Sequence, residues 1–410
     1  MKYKLKLILG NRKLIFQILF TLLILFLFKL GSTLDLPFIS KESYDPSQLG
    51  INPKKLFGLG IYPYITASIV VQFLQKLLPI CREGKEQGQI GKRKLNLLTR
   101  ILALLFVFGQ TFGYLHTLKK YENTLKNIFG ITNEAAHGVA DYFLISLIAV
   151  GACAILIWFT DLINSFGIGN GTSLLIMASM SGSLLDSFKE IYHYPSKLTF
   201  NYFIIILILF LFLVVTVIVQ ITSLKIPINY ARNQASPQSK SYIPLKINTA
   251  GVMPVILVNA LIQPFAFFSK IIGNKTFTKM VSYLTDIQII NFAFMLNILL
   301  IILFSFFSTF MNVNPEEISE HLSKQDAYIA GLRPGDQTTN YLSSLLVKIT
   351  VLGTLFMITL VIAPHFIHKY FDLKHMKLGG TSLLIIVSVA IETIQRIMAT
   401  ANKKEYLKLF

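Results

Sequence analysis

The chain has 410 residues, of which 53% are hydrophobic and only 14% are charged, and its formal net charge is +18. A soluble protein normally carries about a quarter charged residues, so this composition argues against a soluble globular protein. The excess of Lys and Arg needs no nucleic acid to explain it, because loops retained beside anionic lipid headgroups account for it.

Apolar runs of about twenty residues set the architecture, since a helix of this length crosses the hydrocarbon core of a bilayer. The runs do not alternate between apolar and polar residues, which argues against a transmembrane β-barrel. We therefore predict an all-α polytopic membrane protein with ten transmembrane helices. The predicted spans are 14–30, 61–80, 101–118, 142–160, 172–187, 201–222, 249–268, 288–311, 344–364 and 379–398.

The first run follows several Lys and Arg residues and could be mistaken for a signal peptide. No clear small-residue cleavage site follows it, so we predict a first membrane span. Arginine then predicts the orientation, because all seven arginines fall on the side of the two termini or at its edge. The positive-inside rule places this side in the cytoplasm. The arginines are Arg12, Arg82, Arg93, Arg100, Arg232, Arg333 and Arg396, and the densest basic cluster is Lys92, Arg93, Lys94 and Arg100.

One six-residue string, GTSLLI, occurs twice, at 171–176 and at 380–385. The first copy opens span five, which leads outward, and the second opens span ten, which leads inward. We therefore predict two halves related by an inversion. The N-terminal half is 1–187 with spans one to five, and the C-terminal half is 188–410 with spans six to ten.

A second pair of matching stretches supports the two halves. Gly60 and Pro63 enclose two apolar residues at the start of span two, and Gly251 and Pro254 do so at the start of span seven. Proline is common near a helix start, so one such match alone would be weak. Interrupted spans at matching places in inverted halves nevertheless indicate the working site of a membrane protein.

The matching stretches predict a set of apolar side chains that meet near the middle of the membrane. One isoleucine follows each proline by two residues, and another closes each GTSLLI string. Two further residues lie one helical turn beyond, on the same faces. The alternative is that these apolar side chains pack against neighbouring helices or lipid. The predicted set is Ile65, Ile69, Ile176, Met180, Ile256 and Ile385.

Chemistry-bearing residues are scarce in the predicted spans. The interiors are almost free of charge, which argues against a proton relay, and Glu392 and Arg396 are spaced to pair. Cys81 and Cys153 cannot form a disulfide framework or a metal set. The glycine-rich segment 167–171 follows no strand, so we expect a tight turn and not a nucleotide loop. No catalytic motif is present, and we predict no cofactor, no metal and no enzymatic activity.

Two long polar segments, 223–248 and 312–343, are predicted on the cytoplasmic side. The second contains Arg333 in the turn 331–335, where Gly and Pro present a side chain well to a partner. A solvated charge that fixes topology is an equally good interpretation. Pairing with a glutamate of the same loop is a further alternative, and the candidates are Glu316, Glu317 and Glu320.

Taken together, these stretches resemble the SecY family of protein-translocation channels. The resemblance implies a channel for unfolded secretory polypeptides, with two inverted five-span halves closed like a clamshell. It also implies a lateral exit into lipid between spans two–three and seven–eight. The stretches that carry it are LGIYPYITASIVVQ (59–72), GIGNGTSLLI (167–176), INYARNQ (228–234), LKINTAGVMPVI (245–256), NPEEISEHLSKQDAYIAGLRPGDQTTNYL (314–342) and GGTSLLI (379–385).

The resemblance also implies roles for single residues. The family's apolar constriction corresponds to the six predicted mid-membrane residues, and an external plug would lie near Ser47–Leu59. Arg333 and Arg232 correspond to positions that dock a SecA motor ATPase or a ribosome. The implied partners further include SecE-like and SecG-like small subunits, secretory preproteins with signal peptides, and anionic lipids. The implied location is a bacterial plasma membrane or a plastid thylakoid membrane.

Two other classes of membrane protein compete with this interpretation. An inverted-repeat secondary transporter shares the repeat but would transport a small solute. A catalytic membrane protein, such as an intramembrane protease, would need a nucleophile or a metal set that the sequence does not offer.

Overall fold

The computed structural model describes residues 11–34, 55–77, 88–119, 139–193, 199–230, 241–258, 261–262, 292–371 and 380–406. The described residues belong to two compact units. The first holds the residues up to Lys189 and the C-terminal end from Glu392 onward, and the second holds those within Glu190–Asn259 and Asp286–Ile391. The predicted division into two inverted halves, 1–187 and 188–410, is based on a repeat in the sequence, and it stays a prediction.

The first unit is built from helices. They are α1 (Arg12–Thr33), α2 (Tyr62–Leu77), α3 (Gly88–Lys119), α4 (Val139–Phe166) and most of α5 (Gly171–His193). Helix α3 packs against both α2 and α4, and α1 packs against α4. Small side chains in their shared core let the helices approach closely, as is usual in membranes. The buried core residues are Ala67, Ala103, Val107, Ala149, Cys153 and Ile157.

The second unit contains the helices α6 (Thr199–Ile221) and α7 (Phe292–Asn312), together with further helices described below. Helix α7 packs against α9 (Asp336–Phe371). A Cβ atom added at Gly353 of α9 would lie 2.9 Å from the carbonyl oxygen of Ile247. The backbone of α9 therefore lies close to the backbone at Ile247. The last helix, α10, is Gly380–Tyr406.

Each of these nine long helices overlaps one predicted span, which confirms that the spanning part is all-α. The tenth predicted span, 249–268, lies only partly in the described residues, where 253–258 are helical. The count of ten spans therefore stays a prediction. Within the described residues, six stretches are long and apolar enough to cross a membrane. They are Arg12–Thr33, Gln89–Gly113, Phe143–Phe166, Phe292–Lys324, Asp336–Ala363 and Ser382–Ala401.

The two long polar segments fold together, which the sequence did not predict. Strands β1 (Ser223–Tyr230) and β2 (Ser241–Lys246) come from the first segment, and β3 (Ala327–Ile329) comes from the second. They form an antiparallel sheet in the order β2-β1-β3. The short helix α8 (Pro315–Lys324) precedes β3. We call β1–β3, α8 and the first turns of α9 the loop module.

The sheet accommodates a proline in each of its two longer strands. Lys225 pairs with Pro244 and Pro227 pairs with Tyr242, so the two pairs lie two steps apart. Antiparallel pairs alternate between hydrogen-bonded and non-hydrogen-bonded classes, so both prolines fall in the same class. The Ile247 N–H donates to the Thr222 carbonyl at 3.2 Å, so Thr222 and Ile247 form a hydrogen-bonded pair, and both proline pairs, an odd number of steps away, are non-hydrogen-bonded. In such a pair no N–H points at the partner strand, and proline therefore removes no ladder bond.

The loop module has its own apolar core. Ile226 and Ile228 of β1 point to the same face of the sheet, where Leu322 of α8 and the start of α9 cover them. Helix α8 begins at a side-chain cap, because the Asn314 side-chain oxygen accepts a hydrogen bond from the Glu316 N–H at 3.1 Å. Further members of the core are Leu245, Ala327, Ile329, Leu342, Leu346 and Ile349. The module is thus a folded body seated on α9.

The matched stretches at the starts of spans two and seven have the same backbone conformation. Gly60 and Gly251 both have positive φ, at +56° and +66°. The Gly60 N–H donates to the Phe57 carbonyl at 2.9 Å, and the Gly251 N–H donates to the Asn248 carbonyl at 3.3 Å. Each glycine thus closes a turn in a conformation that residues with a side chain rarely adopt.

The agreement continues into both helices. The Ile65 N–H donates to the Ile61 carbonyl at 3.1 Å, and the Ile256 N–H donates to the Val252 carbonyl at 3.4 Å. Each proline is the second helical residue, where a missing N–H leaves no helical bond unmade. The two stretches, which match in sequence, therefore also have the same turn, the same helix start and the same first helical hydrogen bond.

We predict that Leu346→Ala unfolds the loop module. Leu346 is 0% exposed, and truncating a buried leucine costs about 2–5 kcal/mol. Limited proteolysis of the purified protein in detergent should cleave the β1–β2 and α8–β3 segments faster. The control is Leu355→Ala on the same helix, where the side chain is 63% exposed and its loss should change little. Equal protease resistance of the two variants would contradict the core assignment.

We also predict that Gly60→Ala and Gly251→Ala destabilise the protein by similar amounts, about 1–2 kcal/mol each, because both force a side chain into the left-handed region. No steric clash contributes, since a Cβ added at Gly60 would lie 3.8 Å from its nearest neighbour and one at Gly251 would meet nothing within 4 Å. Asn should cost less than Ala. Thermal unfolding measures the effect, with Gly109→Ala in α3 as a helical control. A large loss at one glycine with none at the other would contradict the repeat.

Candidate functional site

The turn between α4 and α5 holds the first GTSLLI string in place. Gly169 has φ +102°, which confirms the predicted tight turn. The Gly171 N–H donates to the side-chain oxygen of Asn164 at 2.8 Å. A Cβ atom on Gly171 would overlap the Thr160 carbonyl, so the start of α5 lies directly against the backbone of α4.

A second asparagine caps α5 from within the turn. The Asn170 side-chain oxygen accepts hydrogen bonds from the Thr172 N–H at 3.2 Å and the Thr172 hydroxyl at 2.6 Å. Such a cap satisfies a backbone donor that has no helical partner. The second copy of the string also opens a helix, because α10 begins at Gly380. Both copies therefore mark helix starts, as the sequence predicted.

The C-terminal part of α10 is tied to the same turn within the first unit. Arg396 and Glu392 form the predicted ion pair, at 2.9 Å. The Arg396 guanidinium also donates to the Gly169 carbonyl at 3.2 Å, close to the C-terminal end of α4, where a cation is favourable. An apolar cluster of Leu14, Ile168 and Ala401 lies beside this contact.

The six predicted mid-membrane residues are largely buried. The five isoleucines are each less than a tenth exposed, and Met180 is half-buried. Four of the six lie in the first unit, and Ile256 and Ile385 lie in the second. Ile65 and Ile256 follow helix starts with the matched geometry described above, and Ile176 and Ile385 lie near the starts of α5 and α10. The ring itself stays a prediction.

Arg333 lies in a tightly bonded turn of the loop module. Gly331 and Gly335 have φ +83° and +98°. The Thr338 hydroxyl donates to the Arg333 carbonyl at 2.9 Å, and the Arg333 N–H donates to the side-chain oxygen of Gln337 at 3.3 Å. The backbone of Arg333 is therefore held on both sides, while its side chain is exposed.

The charged groups around Arg333 test the alternative that it pairs with a glutamate of its own loop. Glu320 is engaged by Lys324 at 2.7 Å, and this ammonium, through a hydrogen bond and its charge, holds the pKa of Glu320 below its ordinary value. Within the part of the chain that the structure describes, no carboxylate reaches the Arg333 guanidinium at salt-bridge distance.

Other predicted site residues lie outside the described residues. Arg232 is one of them, and so is the part of the predicted plug before Lys55. Among the residues that the structure describes, no three His, Cys, Asp or Glu side chains are grouped as a metal site would require.

Sequence reasoning missed three contacts. Arg100 and Asp161 form an ion pair at 2.8 Å between α3 and α4. The buried Asn248 side chain bonds both ways with Gly251, accepting from its N–H at 3.1 Å and donating to its carbonyl at 3.3 Å. Phe57 packs on α1. Of these, only Asn248 has a signal in the sequence, since an asparagine three residues before a glycine is typical of a turn.

Comparison with known proteins supports the resemblance that the motifs indicated. The model of the SecY family matches residues 55–394. The chain is 34% identical over 416 aligned positions to the protein translocase subunit SecY of Staphylococcus aureus (strain NCTC 8325 / PS 47), with 95% of each chain covered. It is 32% identical over 417 positions to that of Staphylococcus carnosus (strain TM300), again with 95% coverage of both.

Solved structures agree in fold. One of a protein conducting channel has a TM-score of 0.65 at 17% identity and covers 93% of this chain and 91% of its own. Sec61 in the canine ribosome-channel complex from the endoplasmic reticulum has a TM-score of 0.60 at 17% identity, with the same coverage. The family model matches most of the chain and the bacterial relatives match over nearly their whole length, so this protein belongs to the SecY family.

Proposed function

We propose that this chain is the central pore-forming subunit of a Sec protein-translocation channel. It passes unfolded secretory polypeptides across the membrane and releases membrane segments laterally into lipid. The observation that carries the proposal is the matched pair of interrupted helix starts at Gly60 and Gly251, each placing a buried isoleucine two residues after a proline. Family membership and the fold of known protein-conducting channels support it.

The proposed pore closes by its apolar character. Ile65, Ile69, Ile176, Met180, Ile256 and Ile385 form the constriction. Aliphatic side chains offer water no hydrogen-bond partner, so a narrow ring of them dewets and blocks ions. They can also close around a passing polypeptide of any sequence, because contacts among aliphatic groups need no specific geometry.

The proposed lateral gate runs along α2 and the helix that starts at Met253. Both prolines lie in the first helical turn. Each helix starts directly after a non-helical turn that a glycine with positive φ closes. Such interruptions in membrane proteins are tolerated where the backbone is otherwise satisfied, and they are suited to movement.

The driving force comes from outside the chain in this proposal. Arg333 and Arg232 on the cytoplasmic loops dock a SecA motor ATPase or a ribosome, and the channel itself catalyses no reaction. The held backbone and exposed guanidinium of Arg333 support this role, since a planar fork suits carboxylates or phosphates. SecE-like and SecG-like small subunits complete the assembly, and preproteins with signal peptides are its cargo.

The chain is a multi-pass membrane protein, and we infer a bacterial plasma membrane with both termini in the cytoplasm. The bacterial relatives support the location, and the arginine distribution supports the orientation. Anionic lipids contact the exposed Lys92, Arg93 and Lys94 at the start of α3. The uncharged span interiors and the family match favour this function over a secondary transporter.

We predict that replacing Ile65 and Ile256 together by Ser raises the resting ion conductance of the channel severalfold, because hydroxyl groups wet the ring. Planar-bilayer recording of the purified channel measures the change. The matched control replaces Ile101 and Ile218 by Ser, since these isoleucines are exposed on α3 and α6. A double variant that conducts no more than the parent would place the seal elsewhere.

We predict that Arg333→Glu weakens motor docking by about tenfold to hundredfold, the effect of losing about 1.5–3 kcal/mol from a charged hydrogen bond. Binding of the motor to channel-containing vesicles and motor-driven export measure the loss. Arg333→Lys should restore docking only in part, because an ammonium lacks the fork.

The control for this experiment is Lys246→Glu, which reverses an exposed charge of the same module on β2. Channel abundance is measured by immunoblot in all variants. Reduced abundance of Arg333→Glu with normal export per channel would support a role in folding instead. Normal abundance and normal export would leave Arg333 as a topology-determining charge.

A further inference from the structure

The residues just before α2 carry an aromatic ring that occupies the place of a missing side chain on α1. A Cβ atom on Gly31 would collide with ring atoms of Phe57. The Phe57 ring therefore lies directly on the backbone of α1, and only glycine at position 31 permits this contact.

Two further aromatic rings enclose Phe57. Phe28 of α1 stacks parallel to it, with 6.1 Å between ring centroids and an interplanar angle of 3°. Phe159 of α4 meets it edge to face at 6.3 Å and 76°. The Phe57 side chain is 8% exposed. Such ring pairs stabilise a fold by more than the burial of their area. Gly31, Phe28 and Phe159 thus form a site that holds the Phe57 ring against α1 and α4, and we call this site the seat of Phe57.

The backbone beside Phe57 is bonded to the end of α1. The Leu56 N–H donates to the Leu34 carbonyl at 2.9 Å. The Lys55 ammonium donates to the Thr33 carbonyl, also at 2.9 Å. These bonds give partners to carbonyls that the end of a helix leaves unpaired. The segment 55–57 is thus fixed by both its backbone and its side chains.

A short, bonded path leads from this seat to Ile65. The Phe57 carbonyl accepts from the Gly60 N–H at 2.9 Å, and Ile61, which is fully buried, accepts from the Ile65 N–H at 3.1 Å. These two hydrogen bonds leave little freedom between the ring of Phe57 and the side chain of Ile65.

We propose that the Gly31–Phe57 contact is the joint that positions the start of α2, and with it Ile65, for sealing the pore. Phe57 and Gly31 are then positioning residues for the closed state. The inference rests on the proposed sealing role of Ile65. The joint also sets a limit on the predicted plug near Ser47–Leu59, because Lys55–Leu59 moves only if the Phe57 ring leaves its seat.

A buried thiol reports on this joint. Cys153 of α4 lines a small cavity of about 10 Å³ beside the segment 55–60, roughly the space for one water molecule. The Thr111 hydroxyl also lines it, and has no hydrogen-bond partner among the described residues. Cys153 is 4% exposed, so movement of the Phe57 segment away from this cavity should open its thiol to reagents.

The test compares Gly31→Ala with Gly109→Ala, both in a Cys81→Ser background that leaves Cys153 as the single thiol. A Cβ at Gly109 meets nothing within 4 Å. We expect Gly31→Ala to accelerate labelling of Cys153 by a membrane-permeant maleimide about tenfold, equivalent to about 1.4 kcal/mol. We also expect a raised resting ion conductance, and parental values for both quantities in Gly109→Ala.

A compensating variant separates positioning from general damage. Phe57→Leu in the Gly31→Ala background removes the ring atoms that the new Cβ would meet, so labelling and conductance should both return toward the parent. If Gly31→Ala accumulates poorly, Phe57→Ala loosens the same joint from the other side and must produce the same two increases.

Each outcome is decisive. Unchanged labelling of Cys153 in both Gly31→Ala and Phe57→Ala would show that no joint exists there. Faster labelling without raised conductance would show that the joint does not position the seal, provided that the Ile65/Ile256 double variant conducts. If that double variant does not conduct either, the proposed ring fails while labelling still tests the joint. Conductance that the double variant of Gly31 and Phe57 does not reverse would also overturn the proposal.

Discussion

Pairing of backbone polar groups is the constraint on which this structure depends. In hydrocarbon an unpaired N–H or C=O costs several kcal/mol, so spans are helical and each interruption needs its own partners. At Gly60 and Gly251 a turn supplies them. Between α4 and α5, the side-chain oxygen of Asn164 accepts a hydrogen bond from the Gly171 N–H, and the Arg396 guanidinium donates to the Gly169 carbonyl.

The same constraint explains the roles of three asparagines that lie beside the predicted spans. Asn164, Asn170 and Asn248 all bond to backbone groups at helix starts or turns. In the proposed channel, which seals with aliphatic groups, fixed helix starts matter more than intramembrane charge. The polar groups thus fix the geometry, which leaves the residues just beyond each turn free to be isoleucine.

Three glycines, which lack a side chain, mark places of close contact in this structure. Gly31 receives the Phe57 ring, Gly171 lies on the Thr160 carbonyl, and Gly353 lies near the Ile247 carbonyl. Helices in a membrane associate through close packing and not through a hydrophobic driving force, so positions without a Cβ set where backbones meet. These contacts lie within one unit or the other, and they fix each unit's own helix starts.

The sequence by itself determined the helical spans, the matched Gly–Pro starts, the repeated GTSLLI string and the Glu392–Arg396 pair. These follow from hydropathy and from spacings within one or two helical turns, which a chain carries wherever it folds. Only the tertiary structure decided the three-stranded sheet, the Arg100–Asp161 pair, the seat of Phe57 and the bond from Arg396 to Gly169. Their partners are far apart along the chain, 61 residues for the ion pair and 227 for the last bond. No local pattern encodes such contacts, because they form only where packing brings distant segments together.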